Sequence, residues 1–121
     1  MTTILTILVI VIFFAPFLVG LFKGLRANKR AFSSFVRVVD GDTVAIGGKR
    51  LRLRGIDAPE MDTKAGVRSR DALIALIGQE PVRVVPYGTD RYGRTLVDAF
   101  RADGQNLATL LRRSGHARRW N

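Results

Sequence analysis

The run Lys49-Arg50-Leu51-Arg52-Leu53-Arg54, followed at once by Gly55-Ile56-Asp57-Ala58-Pro59-Glu60, limits what this chain can fold into more than any other stretch. Leucine alternating strictly with arginine predicts a half-buried strand. Side chains alternate between the two faces of a strand, so Leu51 and Leu53 face a core while Arg50, Arg52 and Arg54 share the opposite face. Gly55 permits a sharp turn, and the residue before Pro59 is pushed to extended geometry. Asp57 and Glu60 are thereby placed on a constrained loop at the end of an arginine-bearing strand. Carboxylates held beside guanidinium groups in this way can bind a hard cation and a phosphate together.

The rest of the composition narrows the chemistry further. A formal charge of +10 on 121 residues fits one small domain with anionic partners, either nucleic acid or anionic lipid. With no cysteine, a disulfide framework and a thiolate zinc site are both excluded. The lone His116 argues against a histidine metal cluster or a serine-histidine triad, and is expected to be structural or at the surface. Carboxylates, arginines and hydroxyls are left to do any chemistry.

Residues 1–22 read as a membrane anchor. Ile4 to Phe22 is apolar except for Thr6, Pro16 and Gly20 and carries no charge. About 19 helical residues at roughly 1.5 Å each reach about 28 Å, close to the hydrocarbon thickness of about 30 Å. A cleavable signal peptide normally begins with Lys or Arg and ends in an A-x-A site, and neither is present, so a retained single-pass helix contacting the bilayer through residues 4–22 is expected. Residues 23–34 form a basic linker with Lys23, Arg26, Lys29 and Arg30, ending at Ser33 and Ser34.

A domain over residues 35–121 follows. Phe35-Val36-Arg37-Val38-Val39 and Thr43-Val44-Ala45-Ile46 flank the hairpin signal Asp40-Gly41, and Gly47-Gly48 turns into the arginine-leucine strand, giving a three-stranded meander. Ala72, Leu73, Leu76 and Ile77 recur at helical spacing, with a helix start near Gly66 to Ser69 and an end at Gly78. Val82 to Val85 and Thr95 to Phe100 are two more strands around the loop Tyr87 to Arg94. Asn106 caps a last helix through Leu107, Leu110 and Leu111 that closes at Gly115, and Arg112, Arg113, Arg118 and Arg119 read as a solvated face. Three strands, a helix, two strands and a helix predict a mainly β, α+β class: a five-stranded barrel of the oligonucleotide-binding (OB) type with two helices.

Asp40-Gly41-Asp42-Thr43, the segment Arg52 to Glu60 and Asp90-Arg91-Tyr92-Gly93-Arg94 are each weak signals alone. In this order and spacing they resemble the staphylococcal nuclease (thermonuclease) family, from about Val36 to Ala117. The resemblance implies calcium bound by Asp42, Asp57 and the backbone carbonyl of Ala58, where the family often has threonine. It implies that Glu60 positions or deprotonates the attacking water and that Arg52 and Arg94 contact the scissile phosphate. Tyr92 is implied beside the bound nucleotide; Arg91 and Tyr87 are candidates for substrate contact with it, and Trp120 or Tyr87 for a stacking face. The loop from Met61 to Arg68 is short beside that of the secreted prototype.

The implied activity is calcium-dependent hydrolysis of DNA and RNA by a monomer, with single strands preferred. The alternative is a non-catalytic, membrane-tethered nucleic-acid-binding module, which predicts salt-sensitive binding independent of calcium. Two arguments oppose each other on the membrane side. The basic flank after Phe22 favours a cytoplasmic domain by the positive-inside rule. A calcium site built from two aspartates and mainly water resembles the extracellular class, with affinity on the order of 10⁻⁴ to 10⁻³ M, and would stay largely empty in a cytosol. A nonspecific nuclease there would also threaten the cell's own nucleic acids, so an outward-facing domain is expected. Protease added to intact cells should then remove the domain and spare a cytosolic marker; degradation only after lysis would show the opposite orientation.

Overall fold

The computed structural model describes residues 31–120. The proposed anchor and all of the basic linker up to Arg30 lie outside the described residues. Eight strands and two helices follow in the order β1 (Phe32–Ser34), β2 (Arg37–Asp40), β3 (Thr43–Ile46), β4 (Lys49–Leu53), β5 (Ile56–Asp57), α1 (Lys64–Ile77), β6 (Val82–Thr89), β7 (Thr95–Phe100), α2 (Leu107–Arg113) and β8 (Arg118–Arg119).

Six strands form one mixed sheet in the order β1-β6-β7-β4-β3-β2, and β5 pairs with β8 in a separate two-stranded ribbon. The expected meander is there as β2, β3 and β4, antiparallel throughout. What the local pattern does not contain is the parallel pairing of β4 with β7, Arg52 opposite Leu96 and Leu53 opposite Val97. A parallel neighbour needs a long crossover, and α1 with the β6–β7 hairpin supplies it. All five strands expected from the sequence are present, but among the described residues no pairing joins β2 to β1, so the sheet is an open half-barrel rather than a closed five-stranded one.

Several boundaries differ from expectation, among them β6, which runs to Thr89 and takes in Tyr87, expected in a loop. Ser33 and Ser34, expected in the linker, lie in β1, paired with Arg83 and Val82. Phe35, expected in the first strand of the domain, falls between β1 and β2 and is 69% exposed. A three-residue strand is too short for alternation to reveal, and its pairing partner lies some fifty residues away.

Leu51 and Leu53 are buried as the alternation requires, and they join Val44, Ile56, Val84, Val97, Leu73, Leu107 and Leu111 in one core. Helix α1 packs against β2 and α2, which in turn rests on β7. Both helices begin at side-chain caps: Thr63 Oγ1 accepts from Gly66 N–H at 3.0 Å and Asn106 Oδ1 from Thr109 N–H at 3.1 Å. These caps satisfy backbone donors that a helix start otherwise leaves unpaired. Thr63 sets the start of α1 a few residues before the expected Gly66 to Ser69, because no apolar periodicity marks that first turn.

Gly66 explains how close α1 comes to the loop before it. A Cβ at this position would fall on the backbone carbonyl of Glu60, with the Pro59 carbonyl next to it. Gly41 is similarly tight, a Cβ there falling on the buried Ser69 hydroxyl of α1. We expect Gly66→Ala to push α1 off the Pro59–Glu60 backbone and to destabilise the domain by about 1–3 kcal/mol, the usual range for overpacking. The denaturation midpoint in urea measures this; a midpoint equal to that of the unsubstituted protein would show that the close approach relaxes freely.

Candidate active site

The two tight approaches of α1 hold the β2–β3 turn and the Pro59–Glu60 loop at one end of the sheet, where residues of the β6–β7 hairpin join them. The β2–β3 turn contributes Asp42, the strand β4 contributes Arg52, and the β5 segment with its following loop contributes Asp57, Ala58 and Glu60. The β6–β7 hairpin contributes Arg94. Together these residues line a hollow of about 560 Å³, along with Asp40, Thr43 and Arg50. The structure thus gathers every residue for which the family resemblance implies catalysis or metal binding: Arg52, Glu60, Arg94, Asp42, Asp57 and Ala58.

Asp42 is the most constrained of them. It is 4% exposed, and its Oδ2 accepts from the Ala58 N–H at 2.9 Å and pairs with Arg52 Nη1 at 2.9 Å, while Oδ1 accepts from Thr43 Oγ1 at 3.0 Å. Arg52 also reaches Asp57 Oδ1 at 3.2 Å and the Ile56 carbonyl at 3.3 Å, so one guanidinium spans both aspartates. The other oxygen of Asp57, Oδ2, accepts from Arg118 Nε at 3.0 Å and Nη2 at 2.8 Å. Arg118 is thus more than part of the solvated face that the sequence suggests. It reaches Asp57 because β8 pairs with β5, Asp57 opposite Arg118, and Trp120 N–H extends the pairing by donating to the Gly55 carbonyl. Two residues 61 positions apart give no local signal of this pairing.

Arg94 is held differently. Its Nε donates to Asp90 Oδ2 at 2.6 Å, and the Tyr92 and Arg94 N–H groups both donate to Asp90 Oδ1 at 2.9 Å. Desolvation of the half-buried Asp90 opposes its ionisation, but these donors outweigh it and hold the carboxyl below the usual range. Asp90 therefore organises the whole turn, with Gly93 at φ 79° allowing the chain to close. Glu60 is exposed, and among the described residues its carboxylate holds no hydrogen-bond or ion-pair partner. Its backbone is fixed instead: the carbonyl accepts from Thr63 Oγ1 at 2.6 Å and Thr63 N–H at 3.1 Å, tying it to the cap of α1.

Tyr92, Arg91 and Tyr87, the candidate substrate contacts, do not line this hollow. They lie in a neighbouring one with Trp120, Leu53 and Leu96, and Arg52 and Arg94 form the wall between the two. Tyr87 stands at a break in register between Pro86 and Gly88, and such a bulge re-aims the side chain it carries. Arg54 stacks on the Tyr87 ring with its guanidinium carbon 4.2 Å from the centroid, while gripping Asp98 with two hydrogen bonds of 3.0 Å. Tyr92 is 63% exposed and lies beneath both Arg91 and Arg94. A third hollow on the far side of Asp57 and Glu60 includes His116, which is half-buried.

Among the described residues, no three carboxylate or histidine side chains are gathered as a ready-made metal cage. The electrostatics of Asp42 nevertheless suit a cation. Burial pushes its carboxyl up from 3.8 to about 6, helped by the adjacent Asp40 carboxylate, and the Ala58 N–H and Arg52 only partly offset this. An acid whose folded pKa is raised binds its proton more tightly in the folded state. Its stabilising effect is complete below the unfolded value and is lost as pH rises through the folded one. The window is thus from about 3.8 to about 6. In chelator, the unsubstituted protein should lose stability relative to Asp42→Asn by on the order of 3 kcal/mol across that window. Denaturant titrations at a series of pH values measure the difference; a gap that stays constant with pH would show that Asp42 titrates normally.

Comparison with known proteins agrees with this arrangement. The sequence model of the family described as staphylococcal nuclease homologue matches residues 50–121. An uncharacterised endonuclease of Escherichia coli O157:H7 is 38% identical over 86 residues, covering 68% of this chain and 56% of its own. The succinoglycan biosynthesis protein ExoI of Rhizobium meliloti is 40% identical over 91 residues, covering 66% and 48%. A micrococcal nuclease of Shigella flexneri is 43% identical over 65 residues, covering 50% and 37%. The chain thus spans about half the length of the curated relatives it matches. With a family match over more than half of its residues and the matched segment carrying Arg52, Asp57, Glu60 and Arg94 on one hollow, this chain belongs to the staphylococcal nuclease homologue family.

Proposed function

We propose that the chain is a nuclease that hydrolyses phosphodiester bonds of DNA and RNA with the help of calcium. The observation that carries this reading is the convergence of two arginines, a partnerless glutamate and two aspartates on one hollow. The endonuclease and micrococcal nuclease names of its relatives support the same reaction class.

Each side chain has a task in that reaction. Attack of water on a phosphodiester builds negative charge on the phosphate oxygens, and positive groups already in place stabilise it without reorganising. Arg52 is so placed, locked by Asp42, Asp57 and the Ile56 carbonyl. Arg94 is exposed and turns toward the same hollow, where it can exchange part of its Asp90 pairing for a phosphate oxygen. The Glu60 carboxylate has no internal donor to compete with a water proton, while its backbone is anchored to the start of α1. It is therefore suited to accept that proton.

The donor set also fits calcium. Asp42 and Asp57 offer hard oxygens, and the Ala58 carbonyl is a further candidate, with Asp42 left short of positive charge by its burial. A bound divalent ion would supply Lewis-acid stabilisation of the phosphate and help orient the water. Zinc and softer metals are disfavoured by the absence of cysteine and the single histidine.

The full-length chain, solubilised in detergent, should digest single-stranded DNA and RNA in calcium and stop in chelator. Glu60→Gln should lower kcat by about 10²–10⁴-fold with little change in binding, as expected for removal of a general base. Arg94→Ala should lose on the order of 3 kcal/mol of transition-state stabilisation. Folded protein that binds nucleic acid but never cuts it across a range of calcium and pH would instead identify a binding module.

A further inference from the structure

Three arginines line the candidate active-site hollow, and two of them are held by aspartates: Arg52 by Asp42 and Asp57, Arg94 by Asp90. Arg50 is the exception. It is exposed and forms no ion pair with any described residue. Charge stabilisation by Arg52 and Arg94 leaves its presence unexplained.

The sheet register shows that Arg50 does not stand alone. Arg50 on β4 lies opposite Ala45 on β3, and Ala45 lies opposite Arg37 on β2. Directly paired residues project from the same face of a sheet, so Arg37 and Arg50 stand in one row with a small, buried alanine between them. Arg50 and Arg52 are two positions apart on one strand and share that face as well. Strands spaced by about 4.8 Å put the Arg37 and Arg50 backbones roughly 10 Å apart. Arg37 is exposed and likewise forms no ion pair with a described residue. Long, free cations leading away from a hollow match a chain of phosphates leaving it, since counterion release rewards each phosphate neutralised.

We propose that Arg50 and Arg37 form a phosphate track for an extended single strand of nucleic acid, carrying it from the hollow across β4, β3 and β2. The proposal rests on the nuclease reading for the kind of ligand, and it makes the substrate a polymer gripped beyond the scissile phosphate. The aromatic hollow of Tyr92 and Trp120 lies on the opposite side of Arg94, so the strand enters on one side of the reaction centre and leaves on the other. Recognition through phosphates alone gives length dependence without sequence preference.

The test is fluorescence anisotropy with the full-length chain in detergent and chelator, so that binding is read without cleavage. The probe is an oligothymidylate of about 20 nucleotides, longer than the roughly 4–16 that one such fold engages. Arg37→Gln combined with Arg50→Gln should raise Kd about tenfold and lower the salt slope by about 1.4, at about 0.7 for each single-strand phosphate that is no longer neutralised. The Lys pair at the same positions should restore most of both. A control removing equal charge elsewhere, Arg112→Gln with Arg113→Gln on α2, should change Kd by less than about twofold. An unchanged Kd and slope in the Arg37/Arg50 variant, or an equal weakening in the control, would overturn the track. So would failure of the unsubstituted chain to bind the strand. The expected weakening of binding in a protein that never cleaves in calcium would uphold the track while removing the nuclease reading.

Discussion

The interaction between the buried Asp42 carboxylate, the Ala58 N–H and the Arg52 guanidinium is the one on which the rest of the site depends. It joins the β2–β3 turn, the strand β4 and the loop after β5 through a single side chain. A carboxylate withdrawn from water is costly unless it is paired and hydrogen-bonded. Here the compensation is incomplete, and burial holds the Asp42 carboxyl above its usual range. The interaction that holds the loops together is thus also the one that, in the proposed function, would receive the cation.

A second layer of ion pairs fixes where the other groups stand. Arg118 clamps the outer oxygen of Asp57, Asp90 gathers three donors around the turn that presents Arg94, and Asp98 holds Arg54 against Tyr87. Exposed pairs of this kind add little to stability, typically about 0–1 kcal/mol. Their effect is on geometry, because each removes rotamer freedom from the side chains it joins. Glu60 is controlled through its backbone instead, braced against the cap of α1 and against Gly66, which leaves its carboxylate open to solvent. The result is a site in which Arg52 and Arg94 are internally neutralised while Glu60 is not.

This distribution bears on how a strongly basic chain selects its ligand. Arg52, Arg94 and Arg118 around the candidate site are each engaged by aspartates, which offset their charges locally despite the net charge of +10 on the chain. Arg50 and Arg37, which form no ion pair with a described residue, stand in one row across β4, β3 and β2. In the proposed reaction, attraction at a distance would fall to Arg50 and Arg37 and charge stabilisation at the centre to Arg52 and Arg94.

The sequence by itself determined the strands with regular alternation, the helix ends and the residue types at the centre. Leu51 and Leu53 against Arg50 and Arg52 is a period-two pattern that any strand must obey, and Gly78 and Asn106 mark helix boundaries through local backbone chemistry. The clustering of Asp42, Arg52, Asp57, Glu60 and Arg94 was legible through the order of three short motifs. Tertiary structure alone decided the parallel pairing of β4 with β7, the short strand at Phe32–Ser34, the open edge of the sheet and the clamp of Arg118 on Asp57. It also decided that Tyr92, Arg91 and Tyr87 face a hollow beyond Arg94. The reason is range: periodicity and caps are set by neighbours within a few residues, whereas these pairings join segments far apart in the chain, and only the packing of the core brings them into reach.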